Sequence, residues 1–461
     1  MVLSTPMVAA RLNQMPLTRW HKRIAVIVGI SLFFDLFDIY LSGVLGTVLT
    51  GAFHIPKSEQ ALLLSSAFLG MFIGSIGFNA LADRVGRKAA FLGILSTYSV
   101  FTFIAAFSPN AAFLIVFRFL AGLGIGALLP LCDVYLSEIF PAHNRGRIMA
   151  WTYTLEFCAT PVEGFLARAL VTTHFLMAGW RWLFVIGSIG AIIVWAMQRH
   201  LPESPRWLES AGRHQDAERI LARFLEEAPS SATQVKGPTA NVVEPKRVPL
   251  GTLFTPTYAK RTIMLWIFQI LQTFGYYGFG TLVPLVLASK GLTITTSLTY
   301  AAVSFIGYPI GSLLSVPIVE RIERKWIVVG AAFCMAVFGI LFGMTAQPAL
   351  IMLFGFLYTL SSNIFSNGYH IFQAEIYPTA VRATAVGTAY SLSRLMSGLM
   401  PFILLPVLHA HGATAMFSVV AGAMVLLMID VGALGPKTTG RALEDVNERV
   451  IVQEQGPNVG M

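Results

Sequence analysis

Residues 82–88 read ADRVGRK, and residues 319–325 read VERIERK, so one charged pattern occurs twice in the chain. The two copies are 237 residues apart (319 − 82). A second motif, EIFP at 138–141, recurs as EIYP at 375–378 with the same offset (375 − 138). Two separate motifs that share one offset indicate a duplicated unit. In an apolar chain this duplication predicts a transporter built from two membrane halves.

The composition indicates that a lipid bilayer surrounds most of the chain. Of the 461 residues, 55% are hydrophobic and 12% are charged, against roughly 25% charged in soluble proteins. The three cysteines, Cys132, Cys158 and Cys334, lie in apolar stretches, so we predict no disulfide framework and no metal site. We also predict no cofactor and no nucleic-acid partner, because the basic residues cluster in short loops beside apolar segments.

The hydropathy pattern predicts an all-α membrane protein with twelve transmembrane helices in two pseudo-symmetric six-helix halves. Each span has about the 20 residues that a bilayer requires. The predicted spans are 24–50, 61–82, 89–107, 111–139, 148–172, 179–199, 261–289, 297–319, 326–345, 349–374, 383–408 and 413–434. The predicted divisions are an N-terminal segment 1–23, a first half 24–199, a linker 200–260, a second half 261–434 and a tail 435–461. Within the linker, 206–228 could form a surface helix.

The distribution of positive charge predicts the orientation in the membrane. If both termini are cytoplasmic, the loops on that side carry roughly 26 of the 32 basic residues. The opposite loops carry little beyond Lys57 and Lys290. We therefore expect a multi-pass protein of the inner membrane with both termini in the cytoplasm, acting as a monomer.

Three loop motifs resemble those of the major facilitator superfamily. They are DRVGRK at 83–88 after the second span, its copy after the eighth span, and PESPRWL at 202–208 after the sixth span. The last motif resembles the branch that holds sugar porters, organic-ion transporters and bacterial metabolite symporters. The resemblance covers nearly the whole chain and implies a secondary transporter, not an enzyme, that is driven by an ion gradient.

The repeated charged residues predict a gate at the cytoplasmic rim. Acidic and basic side chains at these helix ends can form ion pairs in one conformation and lose them in another. A simpler interpretation is that the basic residues only follow the positive-inside rule, which would not require the repeated acidic partners. The predicted gate residues are Asp83, Arg84, Arg87, Lys88, Glu138, Arg145, Glu320, Arg321, Glu375 and Arg382.

Charged residues within the spans indicate a proton site, because a charge in lipid costs at least about 2.5–3.5 kcal/mol. Asp35 and Asp38 lie three residues apart on one face of the first span. Arg118 lies in the fourth span at a depth that could meet Asp38. Sugar porters have an Asp and an Arg at matching positions, so the resemblance implies that Asp38 carries the proton. A permanent ion pair between the two spans is the alternative.

Arg394 in the eleventh span indicates where an anionic substrate would bind. A guanidinium stays charged and matches a carboxylate with two hydrogen bonds, and organic-anion carriers of this branch also have an Arg in this span. The alternative is a structural ion pair of Arg394 with Glu156 or Glu163. The predicted substrate-binding residues around Arg394 are Gln269, Gln272, Tyr276 and Tyr277 of the seventh span, and Asn363 and Asn367 of the tenth.

Several glycine patterns are interpreted as helix packing. GLGIG at 122–126 resembles a nucleotide-binding loop, but it lies inside an apolar helix with no strand before it. Gly70 with Gly74, and Gly307 with Gly311, have the spacing of small-residue packing faces.

The predicted function is proton-coupled uptake of a small aromatic or heteroaromatic carboxylate by alternating access. Residues 13–21 resemble bacterial niacin-transporter-like and aromatic-acid symporters. A sugar or polyol symporter is an alternative that the separated Gln269 and Gln272 weaken, and efflux of a drug or metabolite is another. A receptor on a transporter scaffold would usually carry a long folded cytoplasmic domain, which this sequence does not indicate.

Overall fold

The computed structural model describes residues 8, 11, 12, 15–226, 250–377 and 379–438. Within these ranges the regular elements are helices, which confirms the predicted all-α fold. The α-helices are α1 (Arg19–Val44), α2 (Gly46–Ala52), α3 (Gln60–Val85), α4 (Arg87–Ala106), α5 (Ala111–Ile139), α6 (Ala142–Phe157), α7 (Ala159–Leu170), α8 (Gly179–Gln198), α9 (Pro205–Ser210), α10 (His214–Glu226), α11 (Pro256–Ser289), α12 (Ile294–Phe305), α13 (Gly307–Arg321), α14 (Arg324–Met344), α15 (Pro348–Glu375) and α16 (Thr379–Leu434). A short 3₁₀ turn at Leu250–Phe254 precedes α11.

The described helices account for twelve membrane spans. Ten stretches are long and apolar enough to cross a bilayer within the described residues. One of them, in α16, contains two predicted spans that meet at Gly412, where φ is 80°. Glycine adopts this backbone conformation without the steric cost that other residues incur. The predicted fifth span is formed by α6 and α7, which are separated at Cys158, and the predicted surface helix is formed by α9 and α10.

Two parts of the predicted organisation lie outside the described residues. They are residues 227–249 of the linker and the tail from residue 439 onward. The side chains of two predicted gate residues, Glu320 and Arg382, also lie outside the described part of the chain. The described chain forms two compact units. The first unit contains residues 1–42, 66–159 and 169–244, and the second contains residues 43–65, 160–168 and 245–461. The predicted division at 199 and 261 stays a prediction.

Local signals in the sequence explain where several helices begin. Asn110 precedes α5, and its side chain accepts a hydrogen bond from the Phe113 backbone at 2.9 Å. Ser204 caps α9 through the Trp207 backbone at 3.2 Å, with Pro205 at the first helical position. These caps satisfy backbone N–H groups that have no partner inside the helix.

Glycines allow α3 and α5 to pack closely within the first unit. Gly70 and Gly74 of α3 face α5, and Gly122 and Gly126 of α5 face α3. A Cβ atom at any of these four positions would overlap a backbone carbonyl of the other helix. Small residues permit such close approach of membrane helices. The structure therefore confirms that these glycine patterns serve helix packing.

The same close approach recurs in the second unit after 237 residues. Gly70 faces the carbonyl of Phe119, and Gly307 faces the carbonyl of Phe356. Gly307 follows Gly70 by 237 residues, and Phe356 follows Phe119 by the same number (307 − 70 and 356 − 119). This is the offset found in the loop motifs. The duplication therefore extends from the loops into the packing of α3 on α5 and of α13 on α15.

Replacement of Gly74 by valine should lower the free energy of unfolding by about 1–3 kcal/mol, because a Cβ there overlaps the carbonyl of Leu123. Gly77 lies on the same helix with nothing within 4 Å of its Cβ position. Gly77→Val is therefore the matched control, and its effect should stay within about 0.5 kcal/mol. Thermal unfolding of the purified protein in detergent measures both. Equal unfolding midpoints for the two variants would contradict this packing.

Candidate functional site

Asp38 and Arg118 form a fully buried ion pair in the first unit. Arg118 Nη1 lies 2.9 Å from Asp38 Oδ1, and both side chains have zero exposure. Arg118 Nη2 donates to the Asp38 backbone carbonyl at 2.6 Å, and Nε donates to Ser42 Oγ at 2.8 Å. Thr102 of α4 donates to the Asp38 carboxylate at 3.2 Å. The structure thus joins α1, α4 and α5 at the predicted proton site.

Asp35 lies one turn before Asp38 on α1 and is also fully buried. A third carboxylate, Asp133 of α5, accepts a short hydrogen bond from the Tyr153 hydroxyl of α6. Asp133 is not among the residues predicted from the sequence, although an acidic residue within an apolar span is itself a signal of function.

Arg87 is the centre of the charged rim of the first unit. Its guanidinium contacts Glu138 at 2.9 Å and Asp83 at 2.9 Å. These three residues belong to the predicted gate, and the structure brings them together. Arg84 is exposed. Arg145 donates to the Phe140 carbonyl at 3.4 Å.

Glu203 fixes the backbone at the start of α4. Its carboxylate accepts hydrogen bonds from the N–H groups of Arg87 at 2.9 Å, Lys88 at 3.2 Å and Ser204 at 2.9 Å. Burial raises the pKa of Glu203, and these N–H groups oppose that shift. A carboxylate at a helix N-terminus also interacts favourably with the helix dipole. In the sequence Glu203 is part of the PESPRWL motif, which does not by itself predict this contact.

Replacement of Glu203 by alanine should lower the free energy of unfolding by about 2–3 kcal/mol, because several N–H groups lose their acceptor. The exposed Glu226, at the end of α10, provides a matched loss of one carboxylate. Thermal unfolding in detergent compares Glu203→Ala with Glu226→Ala. A Glu203 variant as stable as the Glu226 variant would show that this carboxylate does not hold the rim together.

The second unit contains a corresponding ion pair. Arg324 Nε lies 3.4 Å from Glu375 Oε2, and the two residues follow Arg87 and Glu138 by 237 positions (324 − 87 and 375 − 138). The predicted gate includes Arg321 and omits Arg324. Arg321 is exposed at the end of α13, whereas Arg324 opens α14 and faces α15, so the rim pair in this unit is formed by Arg324.

Arg394 lies between two tyrosines in the core of the second unit. Its guanidinium donates to the hydroxyl of Tyr277 at 3.0 Å and to that of Tyr390 at 2.8 Å. The guanidinium carbon is 5.3 Å and 4.9 Å from the centres of the two rings. Tyr276 packs perpendicular to Tyr277, with the ring centres 4.8 Å apart. Arg394 is 1% exposed, so the structure places a buried cation among neutral phenols.

A chain of buried amides lies in the same unit. Gln272 donates to Gln269 at 3.2 Å and to Ser393 Oγ at 2.7 Å. Gln269 donates to Gln373 at 2.9 Å, and Gln373 contacts the ring of His370 at 3.3 Å. Ser393 directly precedes Arg394 on α16. Gln373 and Ser393 are not predicted from the sequence, because a polar residue in an apolar helix gives no sign of the direction in which its side chain points.

Asn363 and Asn367 have different surroundings from the other predicted substrate-binding residues. The Asn363 amide donates a short hydrogen bond to the Tyr308 carbonyl. The Asn367 amide donates to Ser315 Oγ at 2.6 Å. Both bonds join α15 to α13, where Gly307 brings the two backbones close together. The described contacts of these amide nitrogens are therefore helix-packing contacts, and a substrate-binding role for Asn363 and Asn367 stays a prediction.

The known proteins that this chain resembles are named as transporters or transport proteins. The sequence profile described as "Sugar (and other) transporter" matches residues 22–450. The protein YyaJ of Bacillus subtilis is 32% identical over 443 residues, which cover 94% of this chain and 96% of that protein. The niacin transporter NiaP of Acinetobacter baylyi is 29% identical over 444 residues, covering 95% and 99%. The 4-hydroxybenzoate transporter PcaK of the same organism is 26% identical over 389 residues, covering 84% of each chain.

A solved structure has the same fold. The xylose transporter XylE from E. coli, in a partially occluded inward-open conformation, matches with a TM-score of 0.73 and 20% sequence identity. The match covers 92% of this chain and 99% of that one. The twelve-helix arrangement predicted from the sequence is thus that of a known transporter fold.

Proposed function

The chain belongs to the sugar (and other) transporter family of the major facilitator superfamily, and we propose that it imports a small aromatic or heteroaromatic carboxylate together with a proton. Family membership makes it a multi-pass membrane transporter and not an enzyme. The observation that carries the proposal is Arg394, a buried cation whose described hydrogen bonds go to the neutral hydroxyls of Tyr277 and Tyr390. The names of NiaP and PcaK, which refer to a pyridine and a benzene carboxylate, support it.

Arg394 and its tyrosines suit a carboxylate for a specific reason. The guanidinium stays protonated and can donate two parallel hydrogen bonds to the two oxygens of a carboxylate. The phenol oxygens of Tyr277 and Tyr390 accept hydrogen bonds from Arg394 and would hold its guanidinium in place for the same anion. The rings of Tyr276 and Tyr277 offer aromatic faces beside this site. A flat aromatic acid would use all of these groups.

The amides of the second unit would orient the rest of the substrate. Gln272 donates both of its described hydrogen bonds to Gln269 and Ser393. Its buried Oε1 atom has no hydrogen-bond partner among the described residues. A buried acceptor without a partner costs about 1–3 kcal/mol, so a donor on the substrate, such as a ring hydroxyl or a protonated ring nitrogen, would be favoured there.

Asp38 would carry the coupled proton. A carboxylate beside a guanidinium stays ionised, and the same carboxylate in a desolvated cavity without the guanidinium binds a proton. Arg118 keeps two further acceptors on α1, the Asp38 carbonyl and Ser42 Oγ. These bonds would hold Arg118 in place when the Asp38 carboxylate becomes neutral. Asp35, one turn away, would be the second carboxylate of this site.

The charged rims would form the gate of an alternating-access cycle. We propose that they face the cytoplasm, that both termini lie on that side, and that the protein resides in the inner membrane as a monomer. The ion pair of Arg87 with Glu138 recurs as that of Arg324 with Glu375. Two equivalent pairs allow both halves to form and release similar contacts as the substrate site changes its access.

A symporter of a sugar or polyol is the second candidate. The linked amides of Gln269, Gln272 and Gln373 favour it, because neutral amides both donate to and accept from hydroxyl groups. This candidate gives no role to the charge of Arg394. The two functions therefore differ in whether a negative charge on the substrate is required.

Uptake into proteoliposomes distinguishes the two candidates. Labelled nicotinate, nicotinamide and xylose are offered to vesicles whose exterior is more acidic than the interior, with protein-free vesicles as the background. Nicotinamide has nearly the shape of nicotinate but no charge. The proposal predicts uptake of nicotinate well above that of nicotinamide and xylose, and its loss when the proton gradient is collapsed. Preferential uptake of xylose would support the sugar symporter, and equal uptake of nicotinate and nicotinamide would refute the carboxylate site.

A further inference from the structure

A basic cavity lies in the first unit, and neither Asp38 nor Arg118 is among the residues that line it. Its volume is about 460 Å³. Residues from the start of α1, the start of α4, the end of α8 and the two short helices α9 and α10 line it. Lys88 and Glu203 connect this cavity to the charged rim of the first unit, but neither of the proposed proton carriers, Asp35 and Asp38, lines it.

Positive charge exceeds negative charge around this cavity. The cationic side chains are Lys88, Arg199, Arg213, Arg219 and Arg223, and the carboxylates are those of Glu203 and Asp216. Both carboxylates are already engaged. Glu203 accepts from backbone N–H groups at the start of α4, and Asp216 pairs with Arg213 at 2.8 Å and with Arg219 at 3.1 Å.

Three of the five cations therefore face the cavity without a carboxylate. Lys88, Arg199 and Arg223 form no ion pair with any residue in the described part of the chain. Cations that converge on a concave site without acidic partners attract an anion. Arginine side chains match a phosphate with paired hydrogen bonds, and lysine adds a compact charge.

The cavity lies at the level where membrane spans end. Arg199 directly follows α8, Lys88 is the second residue of α4, and Trp20 is the second residue of α1. Tryptophan is enriched at the membrane interface, where lipid headgroups lie. The apolar side chains of Leu201, Leu208, Ile220 and Phe224 also line the cavity, and such side chains are suited to the glycerol and upper acyl region of a lipid.

We propose that this cavity binds a phosphate-bearing anion, supplied by the headgroup of an anionic phospholipid. Basic pockets at the ends of membrane helices are suited to such headgroups. The volume lies in the range of about 300–1,000 Å³ of small-molecule sites, which accommodates a headgroup with one or two phosphates. The same phosphate chemistry could reach the cavity from a soluble compound, and the test below separates the two sources.

Native mass spectrometry of the full-length protein in detergent tests the proposal. The protein is titrated with diphosphatidylglycerol, phosphatidylglycerol and the zwitterionic phosphatidylethanolamine, and separately with inorganic pyrophosphate. Arg199→Gln/Arg223→Gln removes two charges from the cavity. Arg147→Gln/Lys260→Gln is the matched control, since both of these residues are exposed and neither lines the cavity. Arg223→Glu on the exposed face of α10 serves as a second cavity variant should the double variant fold poorly.

The anionic lipids should bind the wild type more tightly than phosphatidylethanolamine does. They should bind the cavity variants roughly 10- to 30-fold more weakly, since each charge near the surface contributes about fivefold, and should bind the control variant like the wild type. Equal affinity in the cavity variant and the wild type would overturn the site. So would an equal loss in the control variant. Binding of pyrophosphate to the wild type that displaces the lipids and is lost in the cavity variant would overturn the lipid as the source of the phosphate.

Discussion

Replacement of Arg394 by alanine should reduce kcat/KM for carboxylate uptake by a factor that lies between roughly 30 and several thousand. Loss of one partner of a buried, hydrogen-bonded charge pair costs about 2–5 kcal/mol. Arg394 is the charge that the proposed substrate would meet, and it also donates to the hydroxyls of Tyr277 and Tyr390. Initial rates of nicotinate uptake into proteoliposomes, measured over a range of concentrations, give the ratio directly.

Two further variants separate the role of the charge from that of the shape. Arg394→Lys keeps the charge but loses the planar pair of donors, so uptake should be intermediate. Tyr390→Phe keeps Arg394 and removes one hydroxyl, so the loss should be about two- to tenfold, as expected for about 0.5–1.5 kcal/mol. Thermal unfolding checks that each variant is folded. Normal nicotinate uptake by a folded Arg394→Ala protein would exclude the carboxylate site.

Replacement of Asp38 by asparagine should abolish accumulation of substrate driven by a proton gradient. Asparagine has the shape of the carboxylate but cannot take up a proton in the cycle. Exchange of internal for external nicotinate needs no net proton movement, so it should continue. Arg118 keeps its bonds to the Asp38 backbone and to Ser42 in this variant, which limits the damage to the fold. Accumulation and exchange are measured on the same proteoliposomes.

Thr102→Val is the control for this test. It removes the hydroxyl that donates to Asp38 at 3.2 Å and leaves the titratable group in place. Accumulation should therefore persist in this variant, at a reduced rate. If Asp38→Asn proteoliposomes accumulate nicotinate as the wild type does, Asp38 forms a permanent structural pair with Arg118, and another group carries the proton.

The constant offset made the repeated features of the fold predictable. It relates the loop motifs, the glycine contacts of α3 and α13, and the rim pairs Arg87 with Glu138 and Arg324 with Glu375. These features depend on residue positions along similar helices, and a duplication preserves such positions. The choice of Arg321 over Arg324 was the exception. From the sequence alone, Arg321 and Arg324 could lie on one helix or on opposite sides of a turn. Only the three-dimensional structure shows that Arg324 is the one that contacts Glu375.

The contacts that support the candidate sites were harder to predict. Glu203, Thr102 and Gln373 reach their partners from segments that are distant in sequence. Their residue types are common in membrane helices and loops, so the sequence offers no reason to select them. Asn363 differs from these residues, because its residue type led to its prediction as a substrate-binding residue. Its amide nitrogen donates to the Tyr308 carbonyl and so joins α15 to α13.

The functional charges depart from the repeat in a way that fits two specialised halves. Asp38 corresponds to Gly275, and Arg394 corresponds to Phe157, at the offset of 237 (275 − 38 and 394 − 157). Gly275 uses its carbonyl to accept a hydrogen bond from Tyr358. Each proposed functional charge therefore has an uncharged counterpart. This asymmetry supports the proposal that the first half binds the proton and the second half binds the substrate.

The central claim is that a carboxylate and a proton cross the membrane together. The most direct test records the external pH of weakly buffered proteoliposomes, without an imposed gradient, as nicotinate is added. Proton-coupled symport predicts that the medium becomes more alkaline than it does with protein-free vesicles. This alkalinisation should be absent when nicotinamide replaces nicotinate, and it should be lost in the Asp38→Asn variant. Entry of labelled nicotinate through the protein with no accompanying change in external pH would contradict it.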